Sequence, residues 1–193
     1  MVDTVAILSL LAAAAVVMGS PGPSTVSATA VGATFGLRRA LPYVAGLVLG
    51  TFAVLLVVEA GMLGLLASVP AAGPVLAVVS AAYILYLAVR IATAPPLSRQ
   101  DRATAVPGLA AGLALAVVNP KAYLAISAVV AVAPGVGPVL KTALLAAMVV
   151  LIHALWLLVG TAFARLLYDP VTSRIANVGL AAVLVASAVL AFA

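Results

Sequence analysis

Met18-Gly19-Ser20-Pro21-Gly22-Pro23-Ser24-Thr25 lies inside a run, residues 4–37, that holds no charged side chain. Such a run is long enough to cross a bilayer, for which about 20 residues at 1.5 Å rise suffice. Two prolines spaced by one glycine remove two backbone donors and clash with the preceding turn, so a helix entering this stretch cannot pass through it unbroken. The carbonyls and amides freed there cannot face lipid and must be buried in protein or line a wet cavity. Asn119-Pro120-Lys121 interrupts a second apolar run in the same way. One proline in a membrane helix needs no more explanation than a kink. Two interruptions at corresponding places in two halves of a chain point to a midplane binding site.

Outside these stretches the composition agrees. The chain of 193 residues is 67% hydrophobic and 7% charged, with a mean hydropathy of +1.39. A soluble domain runs at about 45–50% and about 25%. Nine Lys/Arg and four Asp/Glu cannot cover a water-facing surface, and there is no cysteine for a disulfide scaffold. The apolar runs are continuous rather than alternating, which excludes a β-barrel. Six helices are expected, at roughly 4–31, 42–67, 71–93, 107–132, 138–163 and 172–192. Val69-Pro70-Ala71-Ala72-Gly73-Pro74 and Pro134-Gly135-Val136-Gly137-Pro138 supply turns between them. The expected fold class is therefore an all-α integral membrane protein. Its six transmembrane helices form one domain, 1–193, as two inverted three-helix repeats, about 1–95 and 105–193, with the first and fourth helices broken. The N-terminus carries Asp3 and no base before Arg38, so it reads as part of a span and not as a cleavable signal.

The bases orient the chain. The first, third and fifth links are read to hold Arg38, Arg39, Arg90, Arg99, Arg102, Arg165 and Arg174, against only Lys141 in the second and fourth links and at the termini. Lys/Arg excess marks the cytoplasmic side, which places both termini outside. The net charge of +5 has this explanation; no nucleic-acid partner is needed, and the arginines can meet anionic lipid head groups.

The candidate substrate-binding and translocation residues are Pro21, Gly22, Pro23, Ser24, Asn119, Pro120 and Lys121. Helical spacing places Ser20, Ser24 and Ser27 on one face, and Asn119, Tyr123 and Ser127 on another. Lys121 either holds a substrate carboxylate or donates to carbonyls freed by the proline. A charge inside a bilayer faces a cavity or a partner, which singles out Glu59 and His153 as proton-coupling candidates. For Glu59 the plainer reading is snorkelling near the outer surface, and for His153 it is packing beside Trp156. Gly46 with Gly50, and Gly61 with Gly64, read as close-approach faces, compatible with a homodimer. Tyr83 and Tyr86 before Arg90 read as an interfacial anchor. One histidine, four acids and no cysteine supply neither a metal cluster nor an acid–base pair, so no enzyme, metal or cofactor is expected.

With these residues in place, the chain resembles the lysine exporter (LysE/RhtB) family of bacterial amino-acid exporters. The likeness rests on Pro21-Gly22-Pro23, Gly32 to Arg39, and the Gly46/Gly50 pair. It continues through Ala82-Tyr83-Ile84-Leu85-Tyr86-Leu87 before Arg90, and Gly112 leading to Asn119-Pro120-Lys121-Ala122. The resemblance implies efflux of amino acids or related small metabolites, driven by the proton gradient, across a bacterial inner membrane. Many members carry an aspartate directly after the second glycine of the pair. Here that residue is Thr51, which carries no charge. The expected function is a secondary exporter of a small zwitterionic amino acid or derivative, partnered by protons and membrane lipids. A passive small-solute pore or a lipid-handling scaffold is the alternative.

Overall fold

The computed structural model describes residues 4–61, 72–93, 105–133, 135–163 and 169–192. Arg99, Arg102, Arg165, Gly64, Pro134 and the turn Val69-Pro70-Ala71 lie outside these residues. Eight α-helices appear in the described residues: α1 Thr4–Ala13, α2 Pro23–Phe35, α3 Leu37–Glu59, α4 Ala72–Ala92, α5 Leu109–Val118, α6 Pro120–Val132, α7 Pro138–Phe163 and α8 Pro170–Phe192. A π-helical turn, Ala14–Met18, continues α1. Helices α3 and α7 are long and apolar enough to cross a membrane singly. Two further pairs pass the same test only as broken spans. Thr4–Met18 meets Pro23–Phe35 at 65°, and Leu109–Val118 meets Pro120–Ala131 at 63°. Large apolar side chains stand exposed on the outside, among them Val5, Leu8, Val16, Leu49, Leu151, Leu155 and Val139. A surface of this kind suits lipid, not water.

Each break has a local cause. The π turn ends with the Gly19 N–H bonded to Ala14 O at 3.2 Å, and extended backbone at Gly22 (φ −168°) carries the chain to α2. Pro23 then opens α2 at the position where a missing N–H costs nothing. At the second break, Asn119 is the N-cap of α6 with Pro120 at its first position, and the Asn119 Oδ1 accepts the Lys121 N–H at 3.1 Å. Because the first break lies between Ser20 and Ser24, Ser20 does not share a helical face with Ser24 and Ser27, as continuous spacing had suggested.

Three other expectations are corrected. The second helix begins at Leu37 and not near 42, so Arg38 and Arg39 belong to its first turn rather than to a link. Gly36 alone makes the turn, at φ +77°, where a side chain would be strained, and Pro42 forfeits only one bond close to the helix start. Lys141 likewise lies in the first turn of α7, buried, with Nζ donating to Val130 O at 3.4 Å. Gly61, at φ +70°, closes the end of α3, and a Cβ on it would meet nothing within 4 Å among the described residues, so it makes no close approach to a described helix.

The apolar core is in two parts. One contains Val26, Val31 and Phe35 of α2, Tyr43 and Leu47 of α3, Leu115 of α5 and Leu157 of α7. The other contains Leu10 of α1, Val54 and Val58 of α3, Ile126 and Val129 of α6 and Leu145 of α7. Of the two broken spans, the part after the first break and the part before the second go to the first core and the remaining parts to the other, while α3 and α7 contribute to both. Thr51 of α3 and the segment Val149–His153 of α7 fall between the two sets. Glycine sets the tightest crossings. A Cβ on Gly46 would stand 2.0 Å from Leu109 O, and one on Gly112 2.0 Å from Tyr43 O, so α3 and α5 touch backbone to backbone. Gly160 similarly meets Thr29 O, at 2.2 Å, where α7 crosses α2. The Gly46/Gly50 face is thus filled by α5 of the same chain and is not open to a second copy.

Candidate functional site

Between the two cores is a cavity with about 430 Å³ of empty volume, mouth included. Its polar lining comes from both breaks (Ser20, Ser24, Thr25, Asn119, Lys121) and from Thr51 and His153, while Met18, Ile126, Val149 and Ile152 contribute apolar wall. An apolar wall with a few convergent polar groups is the make-up of a small-molecule site.

Lys121 is the centre of the arrangement. Its Nζ donates to Ser20 O at 2.7 Å, Ser20 Oγ at 2.8 Å and Pro21 O at 2.8 Å. Three acceptors match the three donors of an ammonium. The carbonyls it satisfies are those of the first break, not those of the proline beside it. Its stem runs so close over Gly22 that a Cβ there would lie 2.5 Å from Cδ. The other cross-break bond is Asn119 Nδ2 to Ser24 Oγ, at 2.9 Å. Trp156 Nε1 donates to Gly19 O at 3.1 Å, so a further freed carbonyl of the first break is met from α7. Within the break, Thr25 Oγ1 accepts the Gly22 N–H at 2.9 Å and Ser20 Oγ donates to Val17 O at 2.8 Å. At the second break Tyr123 Oη donates to Val117 O at 2.9 Å, while Ser127 only bonds its own helix at Tyr123 O. Chains of this kind are the accounting that buried backbone demands.

The sequence-derived candidates therefore separate. Ser24, Asn119 and Lys121 meet across the two breaks, and Gly22 lies under the Lys121 stem. Pro21 supplies a carbonyl, and Pro23 and Pro120 start the helices that follow. His153 also lines the cavity; Glu59 does not. Glu59 ends α3, where Oε2 accepts from the Thr142 hydroxyl of α7. Away from the cavity, Tyr86 lies under Arg90 with the ring centroid 5.8 Å from the guanidinium carbon and its Oη bonded to Nη1 at 2.9 Å, in keeping with an anchor.

Sequence reasoning missed the role of Trp156 as a partner of the first break and the place of Thr51 in the cavity wall. The signal for Trp156 was available: an indole N–H inside an apolar span needs an acceptor, and the freed carbonyls of a broken helix are the ones on offer. Thr51 had been read only as the absence of an acid.

Comparison with known proteins gives one result. A family model described as LysE type translocator matches residues 15–193. No curated protein and no solved structure matches the chain. The matched region takes in both breaks and every residue that lines the cavity. The chain is a multi-pass membrane protein and belongs to the LysE type translocator family, a family of transporters.

Proposed function

We propose that the protein is a proton-coupled secondary exporter of small zwitterionic amino acids or related metabolites. In this reading the two broken helices form the substrate site, and six spans lie as two inverted three-helix repeats in a bacterial inner membrane with both termini outside. The observation that carries the reading is the junction of Lys121 with Ser20 and Pro21, and of Asn119 with Ser24, at the wall of a cavity between two separate cores. Cross-break hydrogen bonds are the contacts that alternating access has to exchange, because freed backbone groups are tolerated at membrane depth only where protein or a wet cavity meets them. The opposite division of the two broken spans between the two cores supports the inverted repeat. A substrate carboxylate reaches Lys121 by replacing one of its three oxygen partners, which ties binding to movement of the first break. Of the two ionisable candidates His153 is the proton carrier, since it lines the cavity and Glu59 does not.

Proteoliposomes loaded with a panel of labelled amino acids test the proposal. The expected result is saturable efflux that rises with an imposed pH gradient. Flux that never saturates would instead identify a pore, and absence of flux across the whole panel would end the exporter reading.

A further inference from the structure

Two residues that line the cavity each carry a buried polar atom with no partner among the described residues. Thr51 is 6% exposed and His153 4% exposed, and Thr51 Oγ1 and His153 Nε2 are both buried without a hydrogen bond. A buried polar group left unmet is costly, so a cavity whose wall carries two of them is built to receive something. The chemistry of the missing partner can be read from His153. Its Nδ1 lies 2.8 Å from Val149 O, and a carbonyl oxygen only accepts, so Nδ1 carries the hydrogen. In the neutral ring Nε2 is then a bare lone pair, fixed in direction by that bond. The hydroxyl of Thr51 supplies a second acceptor that can also turn to donate. What fits this wall is a compact group rich in N–H.

We propose that Thr51 Oγ1 and His153 Nε2 are the subsite for the substrate's protonated amine, and that this amine and a proton exclude one another at Nε2. The inference rests on the exporter reading and deepens it. A proton added to Nε2 converts the acceptor to a donor and leaves a cation where the ammonium would sit. The ammonium, once seated, occupies the only lone pair that could take the proton. Exchange of one for the other is the elementary requirement of antiport, and here it needs a single nitrogen.

The surroundings leave few other groups to take that role. Helix α1 with its π turn and helix α2, Thr4–Phe35 apart from the break, contain no ionisable side chain. On α3 the ionisable residues are Arg38, Arg39 and Tyr43 toward its start and Glu59 at its end, none of them lining the cavity. On α7 itself the only other one is Lys141, in its first turn. From α6, Tyr123 is turned to Val117 O, and Lys121 lines the cavity with its ammonium held at the first break. Lys121 and His153 are therefore the only ionisable residues lining the cavity among the described residues. The absence of a carboxylate there also sets the substrate class. One carboxylate on Lys121 and one ammonium on neutral acceptors make a net-neutral ligand, and a second cationic group would have no counter-charge.

His153 is the only histidine in the chain, so ¹⁵N-histidine labelling gives an NMR signal from this ring alone. The protein in lipid nanodiscs is titrated with pH alone, then with L-alanine, L-threonine or L-leucine, and with propionate or the deamino acid of each. Proteoliposome flux identifies which of the amino acids is transported. The expected result is that a transported amino acid protects Nε2 from protonation while its deamino partner does not. Thr51→Val, which keeps the shape and removes the hydroxyl, should lower the preference for amine over deamino ligand about tenfold. His153→Gln retains an acceptor that cannot take a proton at ordinary pH, and its remaining flux should ignore the pH gradient. Unchanged emission from Trp156, the only tryptophan, and a single gel-filtration peak establish that the variants are folded. Transport by the wild type with no effect of substrate on Nε2, or His153→Gln flux that still follows the gradient, overturns the shared subsite and leaves the exporter standing. No transport of any amino acid overturns both.

Discussion

Lys121 has no unused donor, and that makes two neighbouring substitutions informative in different ways. Lys121→Met leaves Ser20 O and Pro21 O unmet at the first break, at a cost of about 1–3 kcal/mol for each buried acceptor. It should lower both thermal stability and flux, read by tryptophan fluorescence on heating and by proteoliposome efflux. Gly22→Ala is the cleaner probe. The three atoms nearest its new Cβ all belong to the flexible Lys121 side chain, with Cδ at 2.5 Å and Nζ at 2.8 Å. The flexible stem can shift while the ammonium stays near its acceptors, so folded yield should fall less than in Lys121→Met while flux falls by one to two orders of magnitude, the usual scale of a misplaced binding group. Equal loss of yield and flux in Gly22→Ala would make the Lys121 junction purely structural.

Among the helices, glycine position decides which crossing tolerates change. Gly112→Ala drives a methyl to 2.0 Å from Tyr43 O, a backbone atom that cannot rotate away, so α3 and α5 must separate. The expected loss is at least the 1–3 kcal/mol typical of overpacking, measurable as a lower midpoint in thermal unfolding in detergent. Gly179→Ala on α8 meets nothing within 4 Å, and should be neutral or stabilising by about 0.5–1 kcal/mol through helix propensity. The start of α8 offers a pH test. Asp169 Oδ2 accepts the Thr172 N–H at 2.7 Å, and this hydrogen bond holds its carboxyl below the ordinary value of 3.8. A depressed carboxyl contributes its stabilisation above the unfolded value and loses it as pH falls through the folded one. Hydrogen-exchange protection of Thr172 should therefore persist below pH 3.8 and fail only on further acidification, and Asp169→Ala should remove it at neutral pH.

Over the whole molecule, the test is topology. The chain has no native cysteine, so single cysteines report sidedness without background. At Gly61 and Gly137, where a new Cβ would meet nothing within 4 Å among the described residues, an impermeant thiol reagent should label intact cells from outside. Cysteines replacing Arg39 or Arg174 should stay unlabelled until the membrane is opened. The reverse pattern would invert the orientation derived from the bases.

The sequence by itself determined the membrane class, the positions of both breaks and the identity of their polar residues. Those follow from local facts: proline has no N–H, and charge is excluded from hydrocarbon. It also located α4 and α7 to within a residue at each end, because long apolar runs bounded by turns leave little freedom. It could not show that Lys121 serves the first break and not its own, or that Trp156 reaches Gly19. Nor could it show that Glu59 lies off the cavity while Thr51 and His153 line it. Those pairings join residues on separate helices, up to 137 positions apart. Only the tertiary structure decided them. A freed carbonyl specifies that it must have a donor, but which donor reaches it depends on how helices cross, and here glycine-lined contacts between backbones set those crossings.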